Sequence, residues 1–343
     1  MAVALHPSPH CRVPALHLAV VLLLLAAACS SGGGKSATTT KAAGAPDLTF
    51  APVVRAVEPS IVTLTTPTGI GSGVIYLENG TLITDEHVIH GAKTVDVAFA
   101  DGVVTTGKVL ASDALTDIAL VQANRTSLTP AVFRKDAPAP GDAVIALGSP
   151  LGLSQTVTLG IVSALHRVIP GGGTGGQALV DLIQTDAPIS PGNSGGALVD
   201  TRGRVVGINE AYLPPSTGAV SIGFATPTST VLDVVAQLLA SGQARHAYLG
   251  LVPRTLTPEV VRVLHVPVQA GVVVLSVDPR GPAAKAGVRP GDVIVELDGT
   301  AVKTAEDVLV LVAKNKPGDT VRLTLQRGPS RVQVSVVLTN RPL

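Results

Sequence analysis

The 343-residue chain carries 25 basic against 24 acidic side chains, and a net charge of +1 with no basic block recommends neither nucleic acid nor another polyanion as a partner. Aromatic residues make up only 2% of it and tryptophan is absent, which removes the stacking platforms that bases and sugars need. A composition that is 46% hydrophobic, with 36 glycines and 26 prolines, instead fits several domains of short strands joined by tight turns around an aliphatic core.

At the N-terminus, Arg12 precedes an apolar run over 13–28 whose densest part is Ala19-Val20-Val21-Leu22-Leu23-Leu24-Leu25. The run falls short of the roughly 20 apolar residues of a membrane-spanning helix and suits a signal peptide over 1–28. Leu25-Ala26-Ala27-Ala28-Cys29 resembles a bacterial lipoprotein processing site, with Ala26 where leucine is commoner. That resemblance implies cleavage before Cys29 and a lipid on Cys29 that holds the chain at the membrane. Ordinary signal cleavage or an uncleaved anchor are the alternatives. Cys11, the only other cysteine, lies inside the signal, so the exported chain is expected to hold no disulfide. Residues 29–49, rich in serine, glycine and threonine, read as a flexible tether.

From residue 50 to about 227 the pattern is β. Segments 61–65, 73–77, 94–98, 118–122 and 143–147 alternate or run apolar, and 157–164, 179–184, 197–199, 205–208 and 221–225 repeat the pattern. A helix is expected over 228–240, with Val231, Leu232, Val235, Leu238 and Leu239 on its buried face.

Chemistry enters at Gly192-Asn193-Ser194-Gly195-Gly196. A serine hemmed in by glycines on a tight turn exposes Oγ, and its small neighbours let a carbonyl approach. The backbone of Gly192, Asn193 and Ser194 is the candidate oxyanion hole, with the N–H groups of Gly192 and Ser194 able to face the developing charge. A plain hairpin corner has the same composition, so the partners decide. A serine needs a base, and the base needs a third group to orient it. Thr84-Asp85-Glu86-His87-Val88 ends one apolar strand and Thr116-Asp117-Ile118-Ala119-Leu120 begins another. His87, Asp117 and Ser194 stand in the chain order of the chymotrypsin class. A metal reading of His87 with His90 finds no further ligands at suitable spacing, so no metal site is expected.

Together with Gly71-Ser72-Gly73-Val74-Ile75, Gln184-Thr185-Asp186-Ala187-Pro188-Ile189-Ser190-Pro191 before the turn, Leu159-Gly160-Ile161-Val162-Ser163 and Ile222-Gly223-Phe224-Ala225-Thr226-Pro227, these segments resemble the HtrA/Deg family of trypsin-fold serine proteases. Asp85 departs from the asparagine common at that position, and with Glu86 it sets two acids beside the base. The resemblance implies a mainly β, chymotrypsin-like double β-barrel over 50–242 with the active site in the cleft between barrels. It also implies that loops around 166–177 and 210–219 switch the oxyanion hole, and it allows for a homotrimer. By the same likeness Pro188, six residues before the nucleophile, stands at the base of the S1 pocket beside Ile189. No acid is then placed to bind lysine or arginine, and cleavage after small or medium aliphatic residues is expected. Ile222, Gly223 and Phe224, within Ser221-Ile222-Gly223-Phe224-Ala225, are expected to pair with the substrate as an added strand.

Residues 243–343 form a separate α+β module. Gly281-Pro282-Ala283-Ala284-Lys285-Ala286-Gly287-Val288-Arg289-Pro290-Gly291-Asp292 resembles a PDZ domain, which makes Tyr248-Leu249-Gly250-Leu251 its carboxylate-binding loop and the helix over 305–315 one wall of its groove. Pro253 would remove a ladder donor from the peptide-binding strand. The whole reads as an ATP-independent serine endopeptidase of the bacterial cell envelope, without cofactor or nucleotide-binding loop, that cleaves unfolded exported polypeptides and binds peptide C-termini. A latent chaperone or adaptor, and a narrow signalling protease, are the alternatives. With His87 as base, activity should rise through the ordinary histidine pKa, roughly 6 to 7.

Overall fold

The structure, a computed structural model, describes residues 49–149, 156–173, 176–212, 222–265 and 267–342. The expected signal peptide, Cys29 and nearly all of the tether lie outside the described residues, as do 213–221 and 174–175 in the two expected switch loops.

Pro52 opens α1 (Ala51–Val57), a first-turn position where its fixed φ and missing N–H are tolerated. After a 3-10 turn the chain enters β1 (Ile61–Thr66), β2 (Gly69–Ile75) and β3 (Thr81–Asp85). One helical turn, α2 (Glu86–Ile89), leads to β4 (Thr94–Phe99), β5 (Val104–Asp113) and β6 (Ile118–Ala123). These six strands close into a barrel in the order β1-β2-β3-β6-β5-β4. Its interior is aliphatic, with Leu64, Ile75, Leu82, Val97 and Val121 all buried.

The second half holds β7 (Val132–Phe133), β8 (Ala143–Gly148), β9 (Thr156–Ile169), β10 (Leu179–Thr185), β11 (Ala197–Asp200), β12 (Arg204–Tyr212) and β13 (Gly223–Pro227). The order β11-β8-β9-β10-β13-β12, with β11 also pairing β12, closes a second ring, and β7 adds in parallel to β12. One core cluster joins the two barrels: Val74, Ile83 and Leu120 of the first meet Ile145, Leu147 and Ile208 of the second. Full burial of such a side chain stabilises by about 1.5–3 kcal/mol, so this seam fixes the two halves of the cleft against each other.

The helix α3 (Thr228–Ser241) covers the seam with Val231, Val234, Val235 and Leu238. Val234 replaces Leu239 in the expected stripe, since Leu239 is 46% exposed.

The C-terminal module contains β14 (Ala247–Tyr248), β15 (Leu251–Thr255), α4 (Pro258–Leu264), β16 (Val272–Val277), α5 (Pro282–Lys285), β17 (Val293–Leu297), β18 (Thr300–Ala301), α6 (Ala305–Ala313), β19 (Thr320–Arg327), β20 (Ser330–Val337) and β21 (Thr339–Asn340). Its main sheet runs β15-β16-β17-β19-β20, so β15 is an edge strand with α6 alongside. Thr304 caps α6 in a reciprocal capping box with Asp307. The module rests on the second barrel through α6 against β9 and β10, and His246 Nε2 lies 2.9 Å from Asp113 Oδ1 at the end of β5. No helix among the described residues is long and apolar enough to cross a bilayer.

Candidate active site

The β3–β6 ladder sets the base against its partner. Asp85 pairs with Ile118, and one step further the Glu86 N–H donates to the Asp117 carbonyl. Asp117 takes a left-handed φ of +55°, a conformation that aspartate tolerates better than most residues. Its carboxylate then accepts twice from one residue, the His87 backbone N–H at 2.8 Å on Oδ1 and ring Nδ1 at 2.6 Å on Oδ2. This fixes the ring tautomer, with Nδ1 protonated and Nε2 free to act as a base.

The nucleophile turn is held from both barrels. Ser72 on β2 donates its N–H to the Ser194 carbonyl and its Oγ to the Gly192 carbonyl at 2.6 Å. The Asn193 N–H donates to Ser190, and the Gly196 N–H to the Asn193 carbonyl. A trans peptide points its N–H opposite to its C=O, so anchoring the Asn193 carbonyl aims the Ser194 N–H the other way. Among the described residues, neither the Gly192 nor the Ser194 N–H finds an acceptor. They form the available donor pair. Asn193, grouped with them from the sequence, is corrected here: its N–H is already bonded to Ser190, and its side chain is fully buried. Gly195 has φ +79°, and a Cβ there would meet the Ser72 carbonyl at 2.2 Å, so only glycine fits.

Ser194 Oγ donates to the Glu210 carbonyl at 3.0 Å rather than to His87. The Glu210 side chain also enters the site, with Oε1 3.7 Å from His87 Nδ1. Burial alone lowers the His87 pKa, but the bond to Asp117 and the acidic surroundings of Asp85, Asp117 and Glu86 outweigh it and push it up to about 9. Burial raises the Asp117 carboxyl, and the bonds and charge of His87 reverse this to hold it below its usual value. The acid limb is thereby displaced upward from the 6 to 7 expected of an ordinary histidine. Asp85, His87 and Glu210 bring possible ligand atoms within 4.8 Å of one another, but Nδ1 of His87 is engaged by Asp117.

The expected substrate residues are only partly placed at a binding surface. β13 pairs with β10 on one side and β12 on the other, so Gly223 and Phe224 cannot accept an added strand, and Phe224 is buried with Leu179 and Leu182. Ile222 packs at the border of that same cluster. The unpaired ladder near the nucleophile belongs to β12: among the described residues, Ala211 and Tyr212 pair only with β13, and Glu210 sits at a register shift between Asn209 and Ala211. Ile189 is buried and abuts Gly223, whereas Pro188 is exposed and so is no pocket base. Asp186 accepts the Ile161 N–H at 2.7 Å, a structural role. A cleft of about 290 Å³ beside Ser194 is lined by Ile70, His87, His90, Pro191 and Gly192.

In the C-terminal module, Gly250 has φ +79° and the carbonyls of Leu249 and Gly250 accept from Ala283 and Asp278. The N–H groups of Leu249 and Gly250 find no acceptor among the described residues, at the open end of edge strand β15. Tyr248 is tied by its hydroxyl to Asp278, and Leu251 begins the ladder opposite Val277. Pro253 sits on β15 opposite Val274, next to a register shift.

Ser72 and Glu210 are the residues of the site to which sequence reasoning gave no function. An acid two residues after the apolar run Val205-Val206-Gly207-Ile208 was the available signal for Glu210.

Comparison with known proteins agrees with this geometry. Residues 71–208 match the trypsin-like peptidase domain and residues 247–338 the PDZ domain. The chain is 40% identical over 277 residues to a putative serine protease, HhoB, of Synechocystis sp., covering 78% of this chain and 66% of that protein. It is 38% identical over 273 residues to the periplasmic pH-dependent serine endoprotease DegQ of Escherichia coli, covering 79% of this chain and 59% of that protein. It thus spans less than two thirds of the length of either relative. Among solved structures, the HtrA-type protease AlgW with a decapeptide superposes at a TM-score of 0.72 with 34% identity, over 86% of this chain and all of that one. A serine endoprotease from Yersinia pestis gives 0.64 with 32% identity, over 86% of this chain and 98% of that one. The chain belongs to the HtrA-type serine proteases, with a trypsin-like peptidase domain followed by a PDZ domain.

Proposed function

We propose that the protein is an ATP-independent serine endopeptidase of the bacterial cell envelope that cleaves unfolded or misfolded exported polypeptides. The observation that carries this is the His87–Asp117 pair at 2.6 Å facing a serine turn whose Gly192 and Ser194 N–H groups have no other acceptor. Ser194 Oγ leaves the Glu210 carbonyl, gives its proton to His87 Nε2 and attacks the scissile carbonyl carbon. The resulting oxyanion lies against the two free N–H groups. Collapse breaks the C–N bond as His87 returns the proton to the leaving amine, and water then repeats the sequence on the acyl ester.

Substrate binds as an extended segment along the free side of β12 at 210–212, which favours chains that are already unfolded. Ile189 against Gly223 gives the S1 side an apolar wall, so cleavage follows small or medium aliphatic residues. A peptide library preferring arginine or lysine at P1 would contradict this. The loop Tyr248-Leu249-Gly250-Leu251 takes the terminal carboxylate of a peptide whose strand adds to β15. Cys29, lipidated, tethers the protein to the membrane, which the mass of the mature N-terminal peptide tests.

The resting bond from Ser194 to Glu210 favours a second reading for the unstimulated protein, a latent protease that acts as an adaptor until a ligand turns the serine toward His87. Casein hydrolysis by the wild type and Ser194→Ala, with and without peptides ending in an apolar residue, separates the two. Cleavage lost in Ser194→Ala supports the endopeptidase, stimulation by peptide adds the switch, and no cleavage under any condition leaves the adaptor.

A further inference from the structure

Three carboxyl groups crowd around one imidazole in this site. Asp85 is fully buried and Glu210 is 1% exposed, and their possible ligand atoms lie with that of His87 within 4.8 Å of one another. Among the described residues, both oxygens of Asp85 and Oε2 of Glu210 have no hydrogen-bond partner. The nearby Gly195 N–H donates to Asn209, so it does not relieve Asp85. His87 and Asp117 act on Asp85, Asp85 and Asp117 act on Glu210, and Glu86 acts on the His87 they surround; among the described residues no lysine or arginine forms an ion pair with Asp85, Asp117 or Glu210. Two additional buried carboxylates here would face Asp117 with a single imidazolium to balance them. Buried charge of that kind is relieved by keeping its protons.

Glu210 Oε1 lies 3.7 Å from the same His87 Nδ1 that Asp117 Oδ2 holds at 2.6 Å, so the two carboxyl groups converge on one ring nitrogen. Carboxyl groups this crowded escape repulsion, and can hydrogen-bond, only if one of them carries a proton. Asp117 already accepts from the backbone and ring of His87, so its acceptors are engaged as a carboxylate. The proton then falls to Glu210. The geometry points to Glu210 as a positioning residue that, as a neutral carboxylic acid, donates its proton to Asp117, with Asp85 as a second neutral acid beside it. Burial, and then the neighbouring carboxylates, push both groups well above the ordinary carboxyl range, in agreement with that assignment. Glu210 also holds Ser194 Oγ on its main-chain carbonyl, so one residue braces the acid and the resting nucleophile together. Loss of its proton would set two carboxylates against each other, release Asp117 and lower activity at alkaline pH.

This inference rests on the serine-peptidase reading, and its test has a readout independent of cleavage. Infrared difference spectra at pH 7 between the wild type and Glu210→Gln, and between the wild type and Asp85→Asn, should each lose a carbonyl band of a protonated carboxylic acid. Loss of carboxylate bands instead, or a stoichiometric divalent metal in the purified protein, would overturn the assignment. In kinetics on an extended peptide, Glu210→Met should lower kcat about ten- to a hundredfold at unchanged KM, the range for a hydrogen bond to a charged group. Glu210→Gln, whose amide still donates, should recover most of that loss and abolish the alkaline fall in kcat. Equal impairment of the Gln and Met variants would refute the donor role. If no form of the protein cleaves, the peptidase reading fails while the infrared result still decides the protonation.

Discussion

Ser72→Ala tests how the oxyanion hole is built. The side chain is fully buried, donates to the Gly192 carbonyl at 2.6 Å and accepts the Ser149 N–H at 2.7 Å. The peptide plane between Gly192 and Asn193 is thus held at its carbonyl by Ser72 and at its N–H by Ser190. Removing the hydroxyl leaves a buried carbonyl and a buried N–H without a partner, each costing about 1–3 kcal/mol where no water replaces it. The part of this penalty relieved by rotating the plane is lost from the oriented donor pair. A loss of about 1.4–2.7 kcal/mol corresponds to a ten- to hundredfold fall in kcat, with KM little changed because substrate pairing uses β12. The assay is steady-state cleavage of an extended peptide, with urea denaturation to confirm that the variant is folded. A folded Ser72→Ala enzyme with unaltered kcat would show that the Ser190 bond alone holds the plane, and the reasoning would be wrong.

Asp117→Asn should lower kcat on the order of 10⁴-fold, because an asparagine cannot fix the Nδ1-protonated tautomer, and single-turnover kinetics measures this against background hydrolysis. The pH profile of kcat/KM should have its acid limb above the ordinary histidine range, toward the pKa of about 9 to which His87 is pushed, since His87 must be neutral to act as base. A limb near 6.5 would contradict the raised value. A His87 pKa raised on folding also stabilises the folded state below the unfolded value, and that contribution disappears as pH rises through the folded one. Asp85 and Glu210 act in the same sense: their raised pKa values make the folded state keep protons that the unfolded chain releases. Each therefore destabilises by about 1.4 kcal/mol per pH unit between its unfolded and folded pKa. Asp85→Asn should accordingly raise the melting temperature at pH 8 by more than at pH 5, and equal shifts at both would count against a neutral Asp85.

Much of this architecture is legible in the chain itself. His87, Asp117 and Ser194 each sit at a strand end or turn where local spacing suffices, and β3–β6 register then brings the first two together. What could not be read is which edge of a strand remains free. The 221–225 segment has the composition of a substrate-pairing strand, yet closure of the second ring places β13 between β10 and β12 and leaves the open ladder on β12. Ser72 and Glu210 escaped for a related reason. Ser72 reaches Gly192 across 120 positions, and Glu210 meets His87 only after the two barrels dock. Leu239 was misplaced because the buried stripe of α3 is centred on Val231, Val234, Val235 and Leu238, and which edge of an apolar stripe faces the core is set by the packing partner rather than by hydrophobicity alone.

Reaction with an organofluorophosphonate tests the central claim most directly, since only a serine activated by a base and facing an oxyanion hole is phosphonylated rapidly. Mass spectrometry should find a single adduct on Ser194, formed faster as pH rises through the His87 pKa and absent in Ser194→Ala and His87→Ala. An unmodified Ser194 in the folded protein, with and without a PDZ-binding peptide, would contradict the assignment of this serine as the nucleophile.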